Sequence, residues 1–182
     1  MPIAIGFLEY TSIGSGIKAA DLIIKNSDIT IIMANPNCPG KYQILFTGEV
    51  ASVTSAVELA EQEADGGYLD SMMLPRVDEK VIQALYSPAP GKVEDSVGII
   101  ETLTITDSII AADTMVKTAQ VEILELRLGK GLAGKSYAMV TGTIQNVKEA
   151  VETAASAIKD KGILVSKVVI SGIAPELLEF LC

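Results

Sequence analysis

The sequence predicts an α+β fold built from two tandem copies of one small, ferredoxin-like-related domain, each a βαββαβ unit with a tail helix and an antiparallel sheet. Three observations predict it: an internal repeat, an apolar period that switches between two and about 3.6 residues along each copy, and a proline-rich stretch between the copies.

The repeat decides the architecture. Ile5-Gly6-Phe7-Leu8-Glu9 aligns with Val97-Gly98-Ile99-Ile100-Glu101, Ala19-Ala20-Asp21 with Ala111-Ala112-Asp113, and Lys25 with Lys117. Further along, the register slips by two residues. Gly40-Lys41 then meets Gly134-Lys135, Thr47-Gly48 meets Thr141-Gly142, and Ala56-Val57-Glu58 meets Ala150-Val151-Glu152. The halves are duplicates that differ by a two-residue insertion in one loop. Ser87-Pro88-Ala89-Pro90-Gly91-Lys92 is turn-prone and reads as linker. The expected domains are residues 1–88 and 95–182, with a linker at 89–94.

Within the first copy, Ile3 to Tyr10 reads as a strand. Ser15 is the expected cap of a helix that carries Ile17, Ala20 and Ile24 on one face. Ile29–Ala34 and Tyr42–Thr47 are β-rich runs on either side of Asn35-Pro36-Asn37-Cys38-Pro39-Gly40, a hairpin with Cys38 at its tip. Val50, Val53, Val57, Ala60 and Ala64 recur at helical spacing up to Gly66-Gly67, a pair able to supply a left-handed helix end. A fourth strand, Leu69–Leu74, and a short helix from about Asp78 to Leu85 follow. The second copy repeats the order with strands at 97–103, 121–128, 137–142 and 163–170 and helices at 107–118, 144–160 and 174–181. The Ile/Val/Ala helix stripes read as core.

Composition excludes several functions. The 182 residues are 49% hydrophobic and carry a net charge of −9 with scattered lysines, so a nucleic-acid partner is not expected. Mean hydropathy is high at +0.40. No apolar run approaches the roughly 18 residues that span a bilayer, so surface buried between subunits is the expected use and no membrane partner is expected. Met1-Pro2-Ile3 leads straight into a strand pattern without signal-peptide features, which predicts a cytoplasmic location. There is no histidine, which removes the Ser-His-Asp and Cys-His catalytic sites. The two cysteines, Cys38 and Cys182, are not expected to form a disulfide.

The matched openings, the Ala20-Asp21…Lys25 and Ala112-Asp113…Lys117 helices, and Cys38-Pro39-Gly40-Lys41 in the first hairpin resemble the bacterial microcompartment (BMC) shell domain. The likeness covers the whole chain and points to the tandem-domain, trimer-forming, PduT-like branch of the propanediol-utilisation type. The resemblance implies a non-enzymatic shell tile: a homotrimer with six-fold pseudo-symmetry that meets other shell proteins at its edges. It also implies that the loop between the second and third strands points at the symmetry axis. Three copies of Cys38 would there supply three thiolates to one [4Fe-4S] cluster per trimer, for electron transfer or cluster delivery across the shell. A redox enzyme of the lumen is the further partner this implies. Cys38 is thus the one candidate cofactor-binding and metal-ligating residue, with no catalytic residue expected. The second copy offers Lys130, Leu132 and Ala133 in the corresponding region and no thiol. Lys25 and Lys117 are expected at tile edges, Glu9 and Glu101 have no assigned role, and Cys182 is expected to have none.

Two rival readings remain open. One is a plain metabolite pore whose cysteine is incidental. The other rests on Gly129-Lys130-Gly131-Leu132-Ala133-Gly134-Lys135-Ser136, which matches the nucleotide-binding P-loop pattern. That motif needs a helix directly after the loop, whereas Tyr137–Gly142 reads as a strand, so a glycine-rich hairpin is the expectation.

Overall fold

A computed structural model describes residues 3–86, 93–129, 131–178 and 180. The chain divides into two compact units, Met1–Val77 and Asp78–Cys182. The first unit runs β1 (Ile3–Tyr10), α1 (Ile13–Asn26), β2 (Ile29–Asn37), β3 (Lys41–Glu49), α2 (Val50–Gln62) and β4 (Tyr68–Leu74). The second opens with α3 (Glu79–Tyr86) and continues with β5 (Ser96–Thr102), α4 (Ile105–Thr118), β6 (Glu122–Leu128), β7 (Ser136–Gly142), α5 (Ile144–Ile158), β8 (Leu164–Ser171) and α6 (Pro175–Leu178). The unit boundary precedes α3 because that helix packs on β6 and α4. The proline-rich stretch 87–92 lies outside the described residues.

Each unit holds one four-stranded antiparallel sheet, ordered β2-β3-β1-β4 and β6-β7-β5-β8. The α+β architecture expected from the repeat is therefore present twice. Even the irregularities match, since the ladder slips between Ile31 and Met33 in one copy and between Ile123 and Glu125 in the other.

In the first unit α1 and α2 lie on the sheet and bury Ala4, Leu8, Ile23, Ile44, Phe46, Val53 and Ala56 in one cluster. Each large aliphatic or aromatic side chain removed from water there contributes on the order of 1.5–3 kcal/mol. Gly16 lets α1 close onto the sheet, because a Cβ at that position would fall 2.5 Å from Cδ1 of Tyr42. At the matched positions the second copy has Ser108 and Ser136, both fully buried. A glycine–tyrosine pair in one copy thus stands where the other has two small hydroxyl residues.

Several local expectations are corrected. Ser12, not Ser15, caps α1: its side chain accepts a hydrogen bond from the Ser15 N–H, as Thr104 does from Asp107 in α4. Helix α2 ends at Gln62 through Glu63 at φ −94°, and neither Gly66 nor Gly67 adopts the left-handed conformation expected of them. Gly162 (φ 66°) does so after the second copy's long helix, which closes in a 3-10 turn at Lys159–Lys161. The C-terminal helix is short, Pro175–Leu178. The stripe assigned to the core of α1 is also displaced. Gly16, Ala19, Ala20 and Ile23 are buried, whereas Ile17 and Ile24 stand 52% and 53% exposed. Small residues let the helix approach the sheet closely along 16, 19/20 and 23, and the larger isoleucines fall on its flank.

Candidate functional site

Cys38 sits in the three-residue turn between β2 and β3, exposed and not in a disulfide. Its peptide bond to Pro39 is cis. Gly40 closes the turn at φ +97°, a left-handed conformation open to glycine at no steric cost, and its N–H donates to the Asn37 carbonyl at 2.8 Å.

Asn37 anchors the turn. Its Oδ1 accepts from the Cys38 N–H at 2.8 Å, and its Nδ2 donates to Oε1 of Gln43 at 2.6 Å. Gln43 Nε2 donates in turn to Glu9 Oε1 at 2.7 Å, and Lys41 Nζ lies 2.8 Å from Glu9 Oε2. Gln43 is 2% exposed and Asn37 9%. A polar chain satisfied along its length in this way fixes one geometry, because breaking any link leaves a buried polar group without a partner. The alternating strands explain the arrangement, since Glu9 and Gln43 are directly opposed in the β1–β3 ladder.

The second hairpin is built on the same frame and ends differently. Lys135 Nζ pairs with Glu101 Oε1 at 2.5 Å, as Lys41 does with Glu9, and Ser166 Oγ donates to Glu101 Oε2 at 3.2 Å. The Lys135 hydrogen bond holds the Glu101 carboxyl below the usual carboxylate range. A longer, glycine-rich loop replaces the Asn37 turn, and Tyr137, whose hydroxyl donates to Glu125, stands in place of Gln43. Burial, reinforced by that carboxylate, pushes the Tyr137 hydroxyl up to about 12. Gly129, Gly131, Ala133 and Gly134 all have positive φ, and β7 follows directly. The glycine-rich segment is therefore a hairpin turn. It has no helix behind it to receive phosphates, and its Lys135 is committed to Glu101. Lys130 and Cys182 lie outside the described residues.

Sequence reasoning found Cys38 and the matched glutamates but not Asn37 or Gln43. The available signal was the repeated combination of a first-strand Glu with a Gly-Lys after the turn, which here proves to be an ion pair. Lys25 and Lys117 each close an i,i+4 ion pair, with Asp21 at 2.6 Å and Asp113 at 2.5 Å. Asp21 is 61% exposed at its side chain and Asp113 only 8%.

The BMC domain family model matches this chain twice, over residues 4–77 and 96–173. The chain belongs to the BMC-domain family. It is a structural, tandem-domain shell protein of the bacterial microcompartment type. The microcompartment shell protein PduT of Citrobacter freundii is 33% identical over 170 residues, covering 93% of this chain and 92% of that protein. The crystal structure of a microcompartment protein from Desulfitobacterium hafniense superposes with a TM-score of 0.92 at 38% identity, covering 97% of this chain and 98% of the other. A fused, permuted hexameric shell protein from the RMM microcompartment shares the fold alone, with a TM-score of 0.64 at 18% identity over 87% of this chain and 82% of the other. No helix among the described residues of this BMC protein is long and apolar enough to cross a membrane.

Among the described residues, no group of three or more His, Cys, Asp or Glu side chains forms a metal site within one BMC chain. What the chain offers is one soft thiol at the exposed end of a braced hairpin. That donor suits an iron–sulfur cluster if several copies share it.

Proposed function

We propose that this shell protein forms a homotrimeric tile in which three Cys38 hairpins meet at the axis and hold one [4Fe-4S] cluster. The observation that carries the reading is the exposed Cys38 at the tip of a hairpin anchored from below by Asn37, Gln43, Glu9 and Lys41. An exposed tip on a rigid base can present a thiolate to neighbouring copies without deforming the fold. Three thiolates would leave one iron for a small ligand or a partner's side chain, and the bound cluster would supply one-electron transfer across the shell. Within the chain, the role of the residues is positional: Asn37 holds the Cys38 backbone, Gly40 permits the reversal, and the Glu9–Lys41 pair ties the hairpin to β1. The exposed thiol at the hairpin tip supports this reading over the plain metabolite pore.

The test is anaerobic reconstitution followed by iron and sulfide analysis, visible absorption and mass measurement of the assembly. About four irons per three chains and a brown colour are expected, both largely lost in Cys38→Ser while its assembled mass is unchanged. Iron retained by Cys38→Ser would remove the cluster from this position and leave the pore.

A further inference from the structure

Among the described residues, three buried side-chain polar atoms have no hydrogen-bond partner: the hydroxyls of Ser27, Ser108 and Ser136. Two of the three converge. Ser108 lies in α4 and Ser136 opens β7, on which that helix packs, and both residues are 0% exposed. They are the repeat counterparts of Gly16 and Tyr42, which touch in the first unit. The other polar groups of this corner are engaged. Thr102 Oγ1 donates to the Thr104 carbonyl at 2.7 Å, Thr104 Oγ1 donates to Asp107 Oδ2 at 2.6 Å, and Lys161 Nζ lies 2.6 Å from Asp107 Oδ1.

Helix and sheet meet differently in the two copies at this point. In the first unit a Cβ at Gly16 would fall 2.7 Å from Cβ of Tyr42, closer than two real Cβ atoms come. Ser108 and Ser136 each carry a Cβ, so the two positions are held farther apart in the second unit. The side chains placed in that wider space are also smaller. Ser136 stands where Tyr42 does, and its ladder neighbour Thr102 stands where Tyr10 does.

We propose that one water molecule is a structural part of the second unit, held between the hydroxyls of Ser108 and Ser136. A buried hydroxyl without a partner keeps the full cost of its lost hydration, and one bridging water relieves two such groups at once. A serine hydroxyl rotates to donate or to accept, so either residue can meet the water in either sense. Thr102 Oγ1, opposite Ser136 in the β5–β7 ladder, donates elsewhere but keeps acceptor capacity for a third bond. The strand leaving the Cys38 turn is thus wedged against its helix by a tyrosine ring, and the strand leaving the glycine-rich turn by a hydrated serine pair. This inference goes beyond the cluster and does not depend on it.

The test uses the full chain and has two arms. A high-resolution crystal structure should show one ordered density within hydrogen-bonding distance of both hydroxyls. Serines bonded directly to each other, or no density between them, would overturn the proposal. The second arm is a double-mutant cycle, with circular dichroism to confirm the fold and all variants unfolded in urea at one protein concentration. Ser108→Ala and Ser136→Ala should each raise the unfolding equilibrium constant about two- to tenfold, because each removes one anchor of the water and leaves the other hydroxyl poorly satisfied. The Ser108→Ala/Ser136→Ala double variant should lose no more than the worse single one, because the water leaves and the site becomes apolar. Without the water, each serine is an unpaired polar group, and its replacement by alanine stabilises the fold. Single variants as stable as wild type or more so, or a double variant whose loss is the product of the two single losses, would therefore sink the bridge.

Discussion

Asn37 and Gln43 are joined side chain to side chain at 2.6 Å across the base of the first hairpin, one residue before the turn's thiol. Replacing Asn37 by Ala removes the donor to Gln43 and the acceptor for the Cys38 N–H together. A loss of about 1–3 kcal/mol is expected from the partner left buried, measurable by urea unfolding. Iron bound on anaerobic reconstitution should also fall, while the assembled mass stays that of the wild type. Full iron content in Asn37→Ala would show that the thiol needs no such brace.

Removing Lys25 and removing Lys117 should have unequal costs, although the two lysines occupy matched positions. Lys25 pairs with a solvated Asp21, so Lys25→Ala should change stability by less than about 1 kcal/mol. Lys117 neutralises Asp113, a buried carboxylate that also receives the Asp78 N–H, and Lys117→Ala should cost about 1–3 kcal/mol. If both lysines also serve tile edges, the Lys25→Ala/Lys117→Ala double variant will keep its assembled mass yet form fewer extended sheets under the electron microscope.

The Lys135–Glu101 pair carries a pH signature. Folding lowers the Glu101 pKa, chiefly through the Lys135 hydrogen bond. Its contribution is therefore present above the unfolded carboxylate value and is lost as pH falls through the folded one. The partners are 44% and 28% exposed, so the contribution is modest, about 0.2–1 kcal/mol. Lys135→Met should thus be less stable than wild type near neutral pH, and the gap should close on acidification below the carboxylate range. A gap that widened in acid would contradict the assignment.

The close approach of Gly16 to Tyr42 predicts that Gly16→Ala destabilises the first unit by about 1–3 kcal/mol, because the added methyl meets the ring at its root and not at a flexible end. Tyr42→Ser in the same chain should recover part of that loss, since it removes the ring that the methyl would meet. Additive losses in a double-mutant cycle would count against the coupling.

Element order, helix count and the duplication were legible in the sequence because whole runs such as Ile5–Glu9 and Val97–Glu101 matched in type and spacing, whereas the order of strands within each sheet was not. The cap at Ser12 was legible as well, had Ser12 been set against Thr104 in the same register. Less visible was the face of α1. Ile17, Ala20 and Ile24 satisfy a helical period as well as Gly16, Ala19 and Ile23 do, and only the close contact with Tyr42 selects the second set. The register of the last strands was hidden by a further two-residue offset after the long helices, where the sequences share no identical run and the positive φ at Arg76 and Gly172 marks the match. The brace under Cys38 was hidden for another reason. Asn37 and Gln43 are polar residues in a β-rich run, and their value lies in a ladder partner, Glu9, that is 34 residues from Gln43 along the chain.

Two hairpins raised on the same Glu–Lys pair end in a thiol on one side and a run of glycines on the other. A ring of identical single domains has no such freedom, since every mutation in its gene is copied to every position. Writing the domain twice in one gene lets each end vary under its own selection, so a thiol can be introduced at one hairpin while the other stays without one. The duplication thereby sets the dose of the thiol at one for every two domains.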